Sequence, residues 1–278
     1  MNAQPIADAA LSPFDAATAL DWVGPGHAVG RTSPGYWAFV GPYGGFTAAV
    51  LLRAVLEHPD AAGDALALTV NYCAPIAEGP FDLAVACQRA NRSTQHWSVV
   101  LTQGGGEAAA TASVVLAARR ESWSHQPAMA PAVTPFETTP VYAGTNTAKW
   151  PSQYKFRFAS GAPDFAGGQE GPGPTRTEVW ITDAAPRTLD ALSLTAMGDA
   201  FFGRIFHAQR GIVPFGTVSM TTHFHASTEE LAADGGTRVL GVADARTFHR
   251  SYGDQTGELW SPSGRLLATT TQVFYFKA

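Results

Sequence analysis

Two stretches, "EAAATASVVLAA" at 107–118 and "RLLATTTQVFYF" at 265–276, carry the same pattern of small and β-branched residues along an extended chain. Each reads as the last strand of a unit that the chain spells twice. Working back from the first, "GYWAFVGPY" (35–43) reads as an aromatic strand and "GGFTAAVLLRAVLEH" (44–58) as a helix opened by Gly44 and Gly45. Strands follow in "ALALTVNYCAPI" (65–76), "GPFDLAVACQRANRSTQHWSVVLTQ" (79–103) and "GEAAATASVVLAA" (106–118). Working back from the second, "RTEVWITD" (176–183) precedes a helical pattern in "RTLDALSLTAMGDAFFGRIF" (187–206), then strands in "GTVSMTTHFHAS" (216–227) and "GTRVLGVADARTFHRSYGDQTGELW" (236–260). Letters also correspond, "LTVNYCAP" standing where "MTTHFHAS" does.

One helix followed by several strands, repeated, is incompatible with a doubly wound parallel sheet, in which helices alternate with strands. The pattern predicts an α+β chain with an antiparallel sheet wrapped around one long helix in each half. Joined edge to edge, the two sheets cover each other's free edges. Residues 1–121 form the first repeat with its N-terminal arm, and residues 176–278 the second. Between them 122–175, dense in Pro, Ala, Gly and Thr, reads as a linker with short ordered pieces at most.

Composition removes several classes of function. The chain has 278 residues, 45% hydrophobic and 15% charged, with 18 Lys and Arg against 23 Asp and Glu. A net charge of −5 without a basic run argues against nucleic acid as a partner. No apolar run is long enough to span a bilayer, and the first residues lack the basic-then-apolar order of an export signal. The expectation is a soluble, cytoplasmic protein without membrane association. Cys73 and Cys87 lie in strand patterns, where a thiol ordinarily serves as a small buried hydrophobe.

Catalytic motifs with sharp signatures are missing. "GPYGGF" and "GQEGPGPT" lack the Lys and Ser/Thr of a phosphate loop, and there is no G-x-S-x-G elbow. His223 and His225 share a strand face but have no neighbouring third ligand, so no metal is expected. Arg89 and Arg92 flank a hairpin turn, where solvation is the ordinary role and phosphate contact the functional one. Gln272 is the anomaly. A glutamine on a terminal strand is ordinarily a wet edge residue, yet the first repeat has Val114 at the same place. A buried amide without partners costs about 1–3 kcal/mol, so its presence in one copy alone points to a local use.

The segments "GPYGGFTAAVLLRAV", "LTVNYCAPI", "QRANRSTQHWSVVL", "MGDAFFGRIF", "FGTVSMTTHFHA" and "GELWSPSGRLLATTTQ", taken in order, resemble the double-hotdog acyl-CoA thioesterases of the thioesterase II type. The resemblance implies hydrolysis of an acyl-CoA thioester to free acid and CoA without metal or cofactor. It also implies an Asp, a Thr and a Gln that hold and polarise one water. These fall on Asp199 in "TAMGDAFF", Gln272 in "ATTTQ" and Thr217 in "GTVSMTTHFHA". Strand alternation puts Thr217 on the face opposite Met220, so Thr221 competes with it unless the strand begins irregularly. N–H groups near the start of the second helix, or those of Gly44 and Gly45 opening the first, are expected to face the oxyanion, and Arg89 and Arg92 to meet CoA phosphates. A hotdog hydratase, needing a histidine beside the acid, and a non-catalytic acyl-CoA binder are the competing readings. His207 is the nearest histidine along the chain. Relatives of this type commonly assemble, so a homo-oligomer is expected to be available to this chain.

Overall fold

The computed structural model describes residues 11–144, 148–165 and 171–277. The first half contains α1 (Pro13–Thr18), β1 (Asp21–Gly24), β2 (His27–Arg31), α2 (Gly44–Leu56), β3 (Asp64–Tyr72), β4 (Pro80–Ala90), β5 (Thr94–Thr102) and β6 (Ala108–Ala117). There follow β7 (Tyr154–Ser160), β8 (Thr177–Asp183), α3 (Ala191–Met197), α4 (Arg204–Gln209), β9 (Phe215–Phe224) and α5 (Thr228–Asp234). The second half closes with β10 (Arg238–Asp244), β11 (Phe248–His249), β12 (Tyr252–Trp260) and β13 (Leu266–Phe276).

All the strands join one antiparallel sheet in the order β1-β2-β4-β5-β6-β3-β9-β13-β12-β10-β8-β7, with β11 pairing β12 off this path. Reading outward from the central β3–β9 pair, the two sides match strand for strand. Thr69 and Thr221, equivalent in the two repeats, are partners across that pair and their hydroxyls meet at 2.9 Å. This contact therefore marks the approximate twofold axis relating the halves.

Each half folds its sheet around apolar helix. In α2, Ala48, Ala49, Val50, Leu51 and Leu52 are all buried, as expected for a helix apolar on every side and enclosed by sheet. Alanines on it keep the sheet close; leucines fill the remaining core. In α3 the chain from Leu192 to Met197 is buried, and its start is fixed by a capping box between Asp190 and Ser193. Arg187 ties this start to the N-terminal arm, pairing with Asp15 at 2.9 Å and Asp190 at 2.6 Å.

Several expectations need correction. The aromatic stretch 35–43 is no strand but a short 3-10 turn at Pro34–Tyr36 and an isolated bridge from Trp37 to Pro42. Pro34 and Pro42 cannot donate to a ladder, and the outer strands of this half come instead from the N-terminal arm as β1 and β2. The helix expected over 187–206 is two helices, parted at residues 198–203. Gly198 ends α3 because it packs on β13, where a Cβ would lie 2.7 Å from the Thr270 methyl. The expected linker holds β7, an edge strand paired with β8, and a 3-10 turn at Trp150–Gln153. Its aromatics, Tyr154 and Phe156, supply the apolar face that the proline-rich flanks lack. Both cysteines are exposed, Cys87 on the stretch of β4 that runs past the core and Cys73 just beyond β3. Among the described residues no helix is long and apolar enough to cross a membrane.

Candidate active site

The break between α3 and α4 carries Asp199. Its N–H donates to the Ala196 carbonyl at 3.2 Å, so the carboxylate leaves the helix end at a fixed angle. That end abuts the N-terminus of α2 from the other half. Tyr43 donates its hydroxyl to the Ala196 carbonyl at 2.6 Å, and Tyr72 donates to the Gly44 carbonyl at 2.8 Å. The Gly45 backbone N–H lies near enough to the Asp199 carboxylate to favour its ionised form. Only glycines permit this approach: a Cβ on Gly44 would stand 2.8 Å from Asp199 Oδ2, and one on Gly45 would stand 2.6 Å from the Ala196 carbonyl oxygen. Gly44 and Gly45 therefore bring the start of α2 directly against Asp199.

Gln272 lies on the inner face of β13 and is 7% exposed. Its Nε2 donates to Asp199 Oδ1 at 3.1 Å, and its Oε1 accepts from the Thr217 hydroxyl at 3.0 Å. Two residues earlier on the same face, Thr270 donates to the Gly198 carbonyl at 3.2 Å. One strand therefore anchors the turn and grips the acid it presents.

Thr217 reaches Gln272 because β9 is irregular. Partners run Val273 to Ser219 and then Phe274 to Thr217, which leaves Val218 as the extra residue of a bulge. The bulge resets the alternation, so Thr217 joins the inner face while Val218 is exposed. Thr221, the competitor, faces Thr69 at the twofold axis. Plain alternation, read from sequence, cannot reveal such a shift.

Burial pushes the Asp199 carboxyl up to about 7, against the opposing hydrogen bonds from Gln272 and Gly45. The acid is therefore poised to exchange a proton near neutrality. It opens onto a cavity of about 640 Å³ whose wall includes Asp199, Thr217 and Gln272. Much of the rest is aromatic, with Phe39, Trp150, Phe165, Phe202, Phe215 and Phe274. Phe39 and Phe202 line this space, whereas Phe46 and Phe201 are buried in the core. Trp150 and Phe165 come from the expected linker, which thus builds part of the wall.

Arg89 and Arg92 are exposed at the β4–β5 hairpin and do not line the cavity; Arg89 bonds Asn91 at 2.9 Å. Lys277 is the exposed cation on the cavity wall. His207 is buried in α4, is held neutral by burial with its pKa near 3, and does not line the cavity. Among the described residues no group of three His, Cys, Asp or Glu side chains is gathered to hold a metal ion.

Two polar residues near the site were missed from sequence. Arg204, fully buried, donates through Nε to Gln255 Oε1 at 3.0 Å and through its terminal nitrogens to Thr175, Thr177, Phe201 and Phe202. It thereby clamps the carbonyls just beyond Asp199, including that of Phe202, whose φ of 58° is left-handed. Gln255 is 3% exposed and faces Gln272 directly across β12 and β13. Its signal was present: Gly253, Gln255, Gly257 and Leu259 share the inward phase of β12, so a glutamine there is out of keeping.

Comparison with known proteins agrees with this architecture. Family models for the acyl-CoA thioesterase N-terminal domain and C-terminal domain match residues 33–117 and 127–276. A solved hot dog protein of unknown function from Alicyclobacillus acidocaldarius is 40% identical, with a TM-score of 0.90 over 96% of this chain and 99% of its own. A candidate thioesterase II from Thermobifida fusca is 18% identical, TM-score 0.80, over 97% of this chain and 99% of its own. The acyl-CoA thioesterase II of Mycobacterium marinum is 16% identical, TM-score 0.73, over 95% and 98% respectively. These last two share the fold. Among curated protein sequences, none matches the chain. With its two hotdog repeats fused in one sheet and both domain models matched in order, the chain belongs to the acyl-CoA thioesterase family.

Proposed function

We propose that this protein hydrolyses acyl-CoA thioesters, with Asp199 as general base on a water oriented by Thr217 and Gln272. The observation that carries the reading is the continuous Thr217–Gln272–Asp199 hydrogen-bond chain ending in a carboxyl poised near 7 on the wall of an apolar cavity. An ionised Asp199 takes a proton from water as the water oxygen bonds to the thioester carbon. The tetrahedral oxyanion then re-forms its carbonyl, the C–S bond breaks, and CoA leaves with the proton returned from Asp199. No covalent enzyme intermediate is needed, because a thioester carbonyl is already activated.

A hydratase or dehydratase reading is disfavoured, since among the described residues no histidine lines the cavity. The aromatic wall suits the acyl group, and Lys277 is the cation placed to meet a phosphate of CoA. The test is release of free CoA, followed with a thiol reagent, across straight, branched and aromatic acyl-CoAs from two carbons upward. Turnover is expected for those acyl groups that the cavity admits. Tight acyl-CoA binding with no release of CoA from any substrate would make the protein a binder and overturn the reading.

A further inference from the structure

Hydrolysis needs a donor for the carbonyl oxygen as well as a base, and the side chains beside Asp199 are already engaged with one another. One N–H of Gln272 is held by the Asp199 carboxylate, and the Thr217 hydroxyl by Gln272 Oε1. Gln255 is different. It lines the same cavity, lies directly across the strands from Gln272 and is 3% exposed, yet its Nε2 has no hydrogen-bond partner. A buried amide nitrogen without a partner is uncommon in a folded protein and calls for an explanation.

The orientation of that amide is dictated by chemistry. Arg204 has only donors, so the Gln255 atom that meets its Nε at 3.0 Å must be the oxygen. The amide nitrogen is thereby turned away from Arg204. All the guanidinium's other contacts are to carbonyl or hydroxyl oxygens, so Arg204 is itself fixed and cannot release Gln255. Hydrogen bonding from a cation to the amide oxygen also polarises the amide and strengthens its N–H as a donor.

The first half supplies a control. Val114 stands where Gln272 stands, and its partner across the strands is Trp97, so the apolar pair Trp97–Val114 replaces the amide pair Gln255–Gln272. Both apolar residues are at most 1% exposed. The fold therefore has no need of an amide at this place; only the half that carries Asp199 has one.

We propose that Gln255 Nε2 is the donor that polarises the acyl thioester carbonyl and holds the oxyanion formed when water attacks. The inference rests on the thioesterase reading and assigns the site a side-chain electrophilic group. Arg204 is then a positioning residue, which orients the Gln255 amide and clamps the turn bearing Asp199.

The decisive variant is Gln255→Glu, which keeps an oxygen for Arg204 while deleting the N–H. Expected is a fall in kcat of about 100-fold or more, in the range seen when an oxyanion donor is removed, with KM changed less than about threefold. Gln255→Met, which also removes the donor but adds no charge, is expected to lose a similar factor. A kcat for Gln255→Glu within about threefold of the native protein overturns the proposal. The second readout is the infrared carbonyl stretch of a ¹³C-labelled acyl-CoA bound to Asp199→Asn. It is expected to be lowered relative to free acyl-CoA and to return toward the free value when Gln255→Glu is added. A stretch still lowered in the double variant excludes Gln255 as the donor. Failure of the native protein to release CoA would instead count against the thioesterase reading itself, so the two are distinguishable.

Discussion

Thr217, Gln255 and Gln272 on the second half correspond to Ala65, Trp97 and Val114 on the first, within the same strand order and the same register. Even the bulge is duplicated: β3 is irregular between Ala65 and Ala67, as β9 is around Val218. The bulge therefore belongs to the fold, and the polar groups placed on it are those to which the proposed function gives a role. Where the first half fills the space with a buried Trp97, the second leaves a cavity walled by amides and a carboxyl. The halves also depend on each other, because Tyr43, at the N-terminus of the opposite helix, donates to the Ala196 carbonyl at the end of α3. The candidate site is assembled from both repeats, and its counterpart is closed by packing.

Variants that exchange these features test the contrast. Asp199→Asn, which leaves the hydrogen-bond geometry but removes the base, is expected to lower kcat by about 10³-fold while acyl-CoA binding by calorimetry stays within a fewfold. Turnover within tenfold of native would remove Asp199 from the mechanism. Replacing Gln272 by the residue of the other half, Gln272→Val, is expected to cost about 100-fold in kcat with little loss of stability, since the strand tolerates valine at this place in β6. The reciprocal Val114→Gln is expected to leave kcat unchanged but to lower stability by about 1–3 kcal/mol in denaturant unfolding, because it buries an amide with no partner. Equal behaviour of the two exchanges would erase the asymmetry. Gly44→Ala forces a methyl against Asp199 Oδ2 and is expected to cost about tenfold in kcat/KM, with a smaller effect on folding.

A last exchange is thermodynamic. The folded-state pKa of Asp199 is raised, so the folded protein favours its protonated form, and stability falls as pH rises from the unfolded value near 4 to about 7. Asp199→Asn carries no such penalty. The variant is expected to match the native protein near pH 4 and to exceed it by about 1–3 kcal/mol at pH 8, a gap that thermal or denaturant unfolding at both pH values would reveal.

The repeated order of strands was legible because alternation and turn residues recur in both halves, and Gln272 stood out because its counterpart is Val114. Asp199 lay within a segment of helical period, and neither the break at Gly198 nor the return at Arg204 leaves a mark in that period. Gly198 is set by contact with Thr270 on a strand some seventy residues away, a tertiary effect that local propensity does not carry. The same holds for Arg204, whose acceptors come from Thr175, Thr177, Phe201, Phe202 and Gln255. The strand β7 was hidden among prolines and glycines, and the stretch 35–43 was read as a strand because its aromatics outweighed Pro34 and Pro42.

The most direct test of an Asp199 base is the pH dependence of kcat/KM for the best acyl-CoA substrate between pH 5 and 9. The base must be ionised to accept a proton, so the logarithm of kcat/KM should rise with unit slope below a single apparent pKa near 7 and level off above it. A profile flat across this range, or one bending near pH 4 as for an ordinary exposed carboxylate, would contradict the assignment of the base to the buried Asp199.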